Sequence, residues 1–224
     1  MSDKTKVQTS QEADIQEKAI GFWEQNGKKV LIFAGIIVVG VIGYMGYRSY
    51  VVEPKENKAQ EAMFKAEEFF KNDSLNLALN GDGMNAGFLK IIDRHSGTKA
   101  ANLANYYAGV CYLKTGDFEN AIKYLSRFTT DSKLMLARKH GLLGDAYSEA
   151  GKNEEAVAEY KKAGTTLESD QYLSSEYLFR AGYLLESLGK NKEAAEQYKI
   201  IKKKYPNTQR GYDVDKYLAR LGDI

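Results

Sequence analysis

The chain has 224 residues, 43 % hydrophobic and 28 % charged, and its 32 basic and 30 acidic side chains leave a formal net charge of only +2. Such near-neutrality excludes a general nucleic-acid footprint, which needs a basic surface, and a single cysteine, Cys111, excludes an intramolecular disulfide. Beyond residue 52 the balance is closer still, with 26 basic and 25 acidic residues, and about 170 residues suffice for one elongated domain with a continuous core.

Residues 1–29 form a polar tail in which Ile15, Ala19, Phe22 and Trp23 recur at helical spacing, opposed by Glu12, Glu17 and Lys18. Two expectations stay open for this tail: a short amphipathic helix lying on a membrane surface, or a flexible segment with a few interfacial side chains. In either case Asn26 and Gly27 are expected to break the helix before the next segment. Val30 to Tyr47 contains no charged residue and is mostly Ile, Val, Leu and Gly, the minimum length for crossing a hydrocarbon core. Continuing to Val52 gives an anchor over residues 30–52. Trp23, Lys28, Lys29, Tyr44 and Arg48 are the side chains expected at its two interfaces, because aromatics favour the headgroup layer and long cations snorkel. The long mixed-charge tail and the lack of a small-residue cleavage site favour an uncleaved anchor over a signal peptide. Glycines 35, 40, 43 and 46 contain no four-residue pair for close helix pairing. Lysines flank both ends, so charge alone gives no orientation.

Residues 53–101 read as a linker helix and a degenerate first helix pair. Ala59, Met63, Ala66 and Phe70 share one helical face, Phe88 to Ile92 is the core of a partner, and the glycine-containing stretch Asn72 to Gly87 between them is expected to be loop or frayed helix.

Over residues 102–224 two glycines stand seven residues apart three times: Gly109 and Gly116, Gly144 and Gly151, Gly182 and Gly189. Each second glycine is followed by alanine (Ala121, Ala156, Ala194) and then by a large residue (Leu125, Tyr160, Tyr198). A repeat of this period is a pair of helices that cannot bury its own faces and must stack on its neighbours. The first glycine permits close approach of the two helices, and the second ends the first helix in a left-handed conformation. Tyr212 to Leu221 reads as a helix capping the last repeat, ending at Gly222. The glycines, the aromatics Tyr112 and Tyr147, the alanines and Pro206 resemble the tetratricopeptide repeat in three units, Asn102 to Met135, Ala137 to Asp170 and Ser175 to Thr208. The expected fold is all-α: a transmembrane helix, then an α-solenoid of three clear repeats, one degenerate pair and a capping helix.

The resemblance implies a protein-binding groove lined by the first helix of each pair. Its positions fall on Leu103, Tyr106, Val110, Leu113 and Lys114; on Arg138, Gly141, Asp145, Ser148 and Glu149; and on Glu176, Phe179, Tyr183, Glu186 and Ser187. Aromatics with nearby charges suit recognition of a protein segment. An alternative for Tyr106, Phe179 and Tyr183 is packing against the chain's own terminal helices. The carboxylate-clamp pattern of chaperone-tail receptors is absent, since Tyr106 and Val110 occupy its lysine and asparagine positions.

No catalytic, cofactor or metal motif accompanies the repeats. His95 and His140 lack a second histidine or cysteine at ligand spacing; His95 is expected at a helix end and His140 packed within a repeat. Cys111 lies within an apolar pattern and reads as a buried small hydrophobe. The run Lys199, Lys202, Lys203 and Lys204 reads as cations at a helix C-terminus, where they offset the dipole.

Tail, Phe22-Trp23-Glu24-Gln25-Asn26-Gly27-Lys28, one membrane helix and then repeats is an order similar to the YfgM-type ancillary subunits of the SecYEG translocon. His95-Ser96-Gly97-Thr98 before an alanine-rich helix fits the same family, and the glycine-rich insertion from Asn80 to Gly87 departs from it. The resemblance implies a single-pass inner-membrane protein with its N-terminus in the cytoplasm and its repeats in the periplasm; with no catalytic constellation in the chain, no enzymatic activity is expected. It also implies partners among the translocon, periplasmic chaperones and translocating clients. The alternative is a cell-envelope assembly adaptor that uses the anchor only as a tether.

Overall fold

The computed structural model describes residues 3–223, with side chains at 18 and from 20 onward. It divides into two units, residues 1–54 and 55–224, and each is described by itself.

The first unit is α1 (Asp3–Tyr47) followed by a π-helical turn, Arg48–Val52. Contrary to expectation, α1 runs unbroken through Asn26 and Gly27. Asn26 donates its side-chain amide to the Phe22 carbonyl at 3.3 Å, so it bonds back along the helix instead of capping it. The Trp23 ring folds over Gly27, 3.3 Å from where a Cβ would stand. One interior glycine costs a helix about 1 kcal/mol, too little to interrupt a ladder this long. Ile15 and Ala19 lie outside the described side chains. The apolar stretch reaches a mean hydropathy of 2.3 and none of it is buried by protein, which makes this helix long and apolar enough to cross a membrane. The π turn has a local cause. Pro54 lacks an N–H, and its ring crowds the carbonyl four residues before it; widening the preceding turn makes room, and Glu53 N–H bonds back to the Arg48 carbonyl.

The second unit is built from α2 (Glu53–Lys71), α3 (Leu75–Asn80), α4 (Phe88–Arg94), α5 (Lys99–Lys114), α6 (Phe118–Arg127), α7 (Lys133–Glu149), α8 (Asn153–Thr166), α9 (Gln171–Ser187), α10 (Asn191–Lys204) and α11 (Gln209–Arg220). The pairs are α5 with α6, α7 with α8 and α9 with α10, and α11 covers the last. Where a loop or frayed helix was expected before Gly87, Leu75–Asn80 forms a short helix that buries Ala78 and Leu79. Ala59, Met63 and Ala66 of α2 pack into the same core as Phe88 and Ile91 of α4. Phe88 stacks on Tyr107 at 5.2 Å, with Phe70 edge-on at 5.1 Å from the same tyrosine.

Each pair is closed by the same contact. A Cβ on Gly109 would stand 2.5 Å from Leu125, one on Gly144 2.5 Å from the Tyr160 ring, and one on Gly182 2.6 Å from the Tyr198 ring. The large residue of the second helix therefore sits directly on the glycine of the first. Ala121, Ala156 and Ala194 are fully buried beside these seats. Gly116, Gly151 and Gly189 have φ of 80°, 73° and 72°, the left-handed turn that ends each first helix. The amide after each bonds back over five residues, for example Lys152 N–H to the Tyr147 carbonyl at 2.8 Å.

Gly144→Ala is expected to destabilise the second unit by about 1–3 kcal/mol through overpacking against Tyr160, read as a lower urea midpoint of the full chain in detergent. An unchanged midpoint would show that the seat has slack.

Candidate protein-binding face

Counted from its first glycine, each repeat places five side chains on the expected groove. The residue three before the glycine does something else. In the first unit Tyr106 packs on Phe128 at 5.2 Å. In the second the position is Gly141, covered by Tyr177 of the next repeat, whose ring lies 2.2 Å from where a Cβ would stand. In the third Phe179 is only 6 % exposed, with Tyr217 of α11 edge-on at 4.9 Å and the Arg210 guanidinium 3.9 Å above its ring. Phe179 is thus corrected from groove residue to interior contact, because this register faces the following first helix and the capping helix takes that place.

The other positions divide the face in two. In the first half, Leu103, Val110 and Leu113 are half-buried along α5. Phe64 of α2 joins them, 67 % exposed, and lines with Leu103, Met63 and Ala100 a cavity of about 330 Å³ edged by Gln60 and Glu67. Lys114 reaches away to Asp73 at 2.7 Å. The second half is polar and self-paired. Asp145 accepts from the Tyr160 hydroxyl and from Arg180, each at 2.7 Å. Arg180 also donates to Glu176 at 3.0 Å, and Glu176 accepts from Arg210 at 2.8 Å. Glu186 accepts from the Tyr198 hydroxyl at 3.0 Å and pairs with Arg220 at 2.7 Å. Ser148 is half-buried, Glu149 and Ser187 are exposed, and Tyr183 stands 56 % exposed. Arg138 is exposed and has no ion pair among the described residues; its charge acts on Tyr106 and Tyr177. Tyr44 and Arg48 are exposed in the first unit, as are Trp23, Lys28 and Lys29, and Arg48 lies 3.4 Å from Glu53.

A family profile described as tetratricopeptide repeat-like domain matches residues 21–135, and a second, described as tetratricopeptide repeat, matches residues 142–207. The chain belongs to the tetratricopeptide repeat-like domain family. No curated protein matches it. The first match takes in the apolar helix together with α2 to α6, and the second covers the two later helix pairs. Tetratricopeptide repeats are typically non-catalytic protein-interaction modules, and carrying them makes this chain a protein-interaction scaffold.

The polar seams between its tetratricopeptide repeats are electrostatically fixed. Burial raises the Glu176 carboxyl, but the bonds from Arg210 and Arg180 outweigh it and hold the group below the usual value. Burial likewise opposes the charge on Arg180, and Glu176 with Asp145 overcomes it. Burial together with the Asp145 carboxylate pushes the Tyr160 hydroxyl well up, so it stays a donor. Cys111 is fully buried, and burial pushes its thiol up to about 12, which leaves it an unreactive core group. His140 bonds Glu159 at 2.6 Å, half-buried between α7 and α8, with Lys162 on the same carboxylate at 2.7 Å. Among the described residues no group of three His, Cys, Asp or Glu side chains is placed to hold a metal. Lys199, Lys202 and Lys204 pair with Asp223, Asp215 and Glu168 at 2.6–2.8 Å, which neutralises three of the four lysines in the basic run.

The sequence reading missed Phe64, Arg180 and Arg210. Phe64 lies off the apolar stripe of its own helix, and an off-stripe aromatic was the available signal. Arg180 follows Glu176 by one helical turn, which flags the pair but not its link to Asp145.

Because the Glu176 pKa is depressed in the folded state, its contribution to stability is present above about 4.5, the unfolded value, and is lost as pH falls through the folded one. Glu176→Gln is expected to lower the urea midpoint at pH 7 and to flatten its fall on acidification; identical pH profiles for the two proteins would sink this account.

Proposed function

We propose that the protein is a single-pass scaffold of the protein-export machinery. Its N-terminus lies in the cytoplasm and its repeats in the periplasm; the anchor, residues 30–52, meets the SecYEG translocon, and the repeat face receives clients or chaperone segments. The observation that carries this reading is the apolar first half of the face, where Phe64 is 67 % exposed and Leu103, Val110 and Leu113 are half-buried, leaving hydrophobic surface open to solvent. Unfolded segments expose the complementary surface. Support comes also from the extent of the family match, which begins within the apolar helix and continues into the repeats, and from the resemblance of Phe22 to Lys28 to the translocon subunits. Tyr183, Asp145, Ser148 and Glu186 serve as the polar end of the face. Arg138 is exposed and has no ion pair among the described residues, so it serves as a cation for a partner's acidic groups.

Photo-crosslinkers answer both parts. A probe at Val110 is expected to trap translocating chains, and one at Gly40 is expected to trap a translocon component. Capture of clients at Val110 with no translocon component at Gly40 would favour the envelope adaptor instead. In a Cys111→Ser background, Tyr212→Cys, at a side chain 70 % exposed, is expected to be labelled from outside the inner membrane and Ser10→Cys protected; the reverse pattern would overturn the topology.

A further inference from the structure

The glycine-rich insertion between α3 and α4 is a tied loop. Gly81 and Ala86 pair across its base as an isolated antiparallel bridge. Gly81 has φ of 84°, and a Cβ on it would stand 2.1 Å from the Asn85 carbonyl oxygen; one on Gly87 would stand 2.4 Å from the Gly81 nitrogen. Only residues without a side chain let the two ends of the loop approach this closely. Within the loop the Asp82 carboxylate accepts from the backbone amides of Met84 at 3.0 Å and Asn85 at 2.6 Å, and from the Asn85 side-chain amide at 2.8 Å. These bonds, those from Asn85 foremost, hold the Asp82 carboxyl below its usual value, so it keeps its charge in mild acid. On either side the chain is fixed to the core, by Ala78 and Leu79 of α3 and by Phe88 and Ile91 of α4.

Met84 stands at the tip of this loop, 95 % exposed. Its backbone amide is tied to Asp82 while its thioether is left in solvent, so the held backbone keeps the side chain out of the core. The other methionines of the second unit are placed differently. Met63 is 4 % exposed within the first core cluster, and Met135 is half-buried on α7. A thioether is open to oxidation in proportion to its access, and its sulfoxide is open to enzymatic reduction on the same condition.

We propose that Met84 is a reversible oxidation site, its thioether reacting with a peroxide and its sulfoxide being repaired by a dithiol reductase. In the forward step the sulfur lone pair attacks one oxygen of hydrogen peroxide and the O–O bond breaks. The departing hydroxide takes the proton left on the sulfur-bound oxygen and leaves as water, so the thioether is oxidised to sulfoxide as the peroxide is reduced. In the return step the sulfoxide oxygen leaves as water, its two protons and two electrons coming from a dithiol that closes to a disulfide. Because the Met84 side chain is almost wholly in solvent, the change turns an apolar tip into a polar one without disturbing the core.

The test treats the full chain in detergent micelles with hydrogen peroxide, folded and in urea. Mass spectrometry follows the tryptic peptides 59–65, 72–90 and 134–138, which carry Met63, Met84 and Met135 one each. In the folded protein Met84 is expected to oxidise at least about tenfold faster than Met63 and ahead of Met135, and in urea the three rates should converge to within about twofold. Protein oxidised at Met84 alone should keep the urea midpoint of the untreated chain, and Met84→Leu should remove the first oxidation event. A pair of methionine sulfoxide reductases, one for each sulfoxide epimer, supplied with dithiothreitol should return peptide 72–90 to its unoxidised mass while the protein stays folded. Equal rates for Met63 and Met84 in the folded protein, first oxidation at Met135, a midpoint shifted by oxidation of Met84 alone, or repair only after unfolding would each overturn the proposal.

Discussion

Everything in the second unit depends on the contact between a glycine in the first helix of each pair and a large side chain in the second. Because each glycine lacks a Cβ, Leu125, Tyr160 or Tyr198 descends onto the backbone of the preceding helix. That fixes how near the two helices lie and which residue of each meets the other. With the crossing fixed, the alanines beside it are buried and the left-handed glycines turn the chain within three residues. The side chains facing the next pair are also decided, so the stack propagates one interface at a time.

The tyrosines in two of these seats couple packing to electrostatics. A leucine fills the first seat with hydrocarbon alone. The hydroxyls of Tyr160 and Tyr198 instead reach past the glycines to Asp145 and Glu186 on the first helices. From there Arg180, Glu176, Arg210 and Arg220 extend the bonds to the neighbouring repeat and to α11. The consequence is an asymmetry along the candidate face. Asp145, Glu176 and Glu186 in the later repeats are bonded to arginines, whereas in the earlier half Phe64 stands 67 % exposed beside the half-buried Leu103. The first helices are held differently: the Glu56 carboxylate on α2 takes the first two amides of α5, so a side chain distant in sequence completes a helix terminus.

The division of the α5 surface has the same origin. Residues one step apart on a helix face different neighbours, so Tyr106 meets Phe128, Val110 and Leu113 lie half-buried on the candidate face, and Asn105 lines a cavity with Arg127. Phe179 shows how a register predicted as groove becomes interior when another helix follows. The equivalent place in the second repeat, Gly141, is likewise a seat for Tyr177 of the next, whereas Tyr106 in the first packs on Phe128 of its own repeat.

By itself the sequence determined the all-α fold, the three repeats, their turns and the apolar N-terminal helix. These follow from local periodicity and from glycine's unique backbone freedom, both written in residues close together. It also marked the seats, since their spacing is a fixed property of a helical hairpin. Only the tertiary structure decided that Asn26 and Gly27 leave α1 unbroken, that Leu75 to Asn80 coils into a helix, and that Phe179 is covered while Phe64 is open. It alone joined Glu176 to Arg210 and placed Asn105 in one cavity wall with Arg127. The physical reason is that burial and ion pairing are relations between helices distant in the chain, and no local pattern records which neighbour a given face will meet.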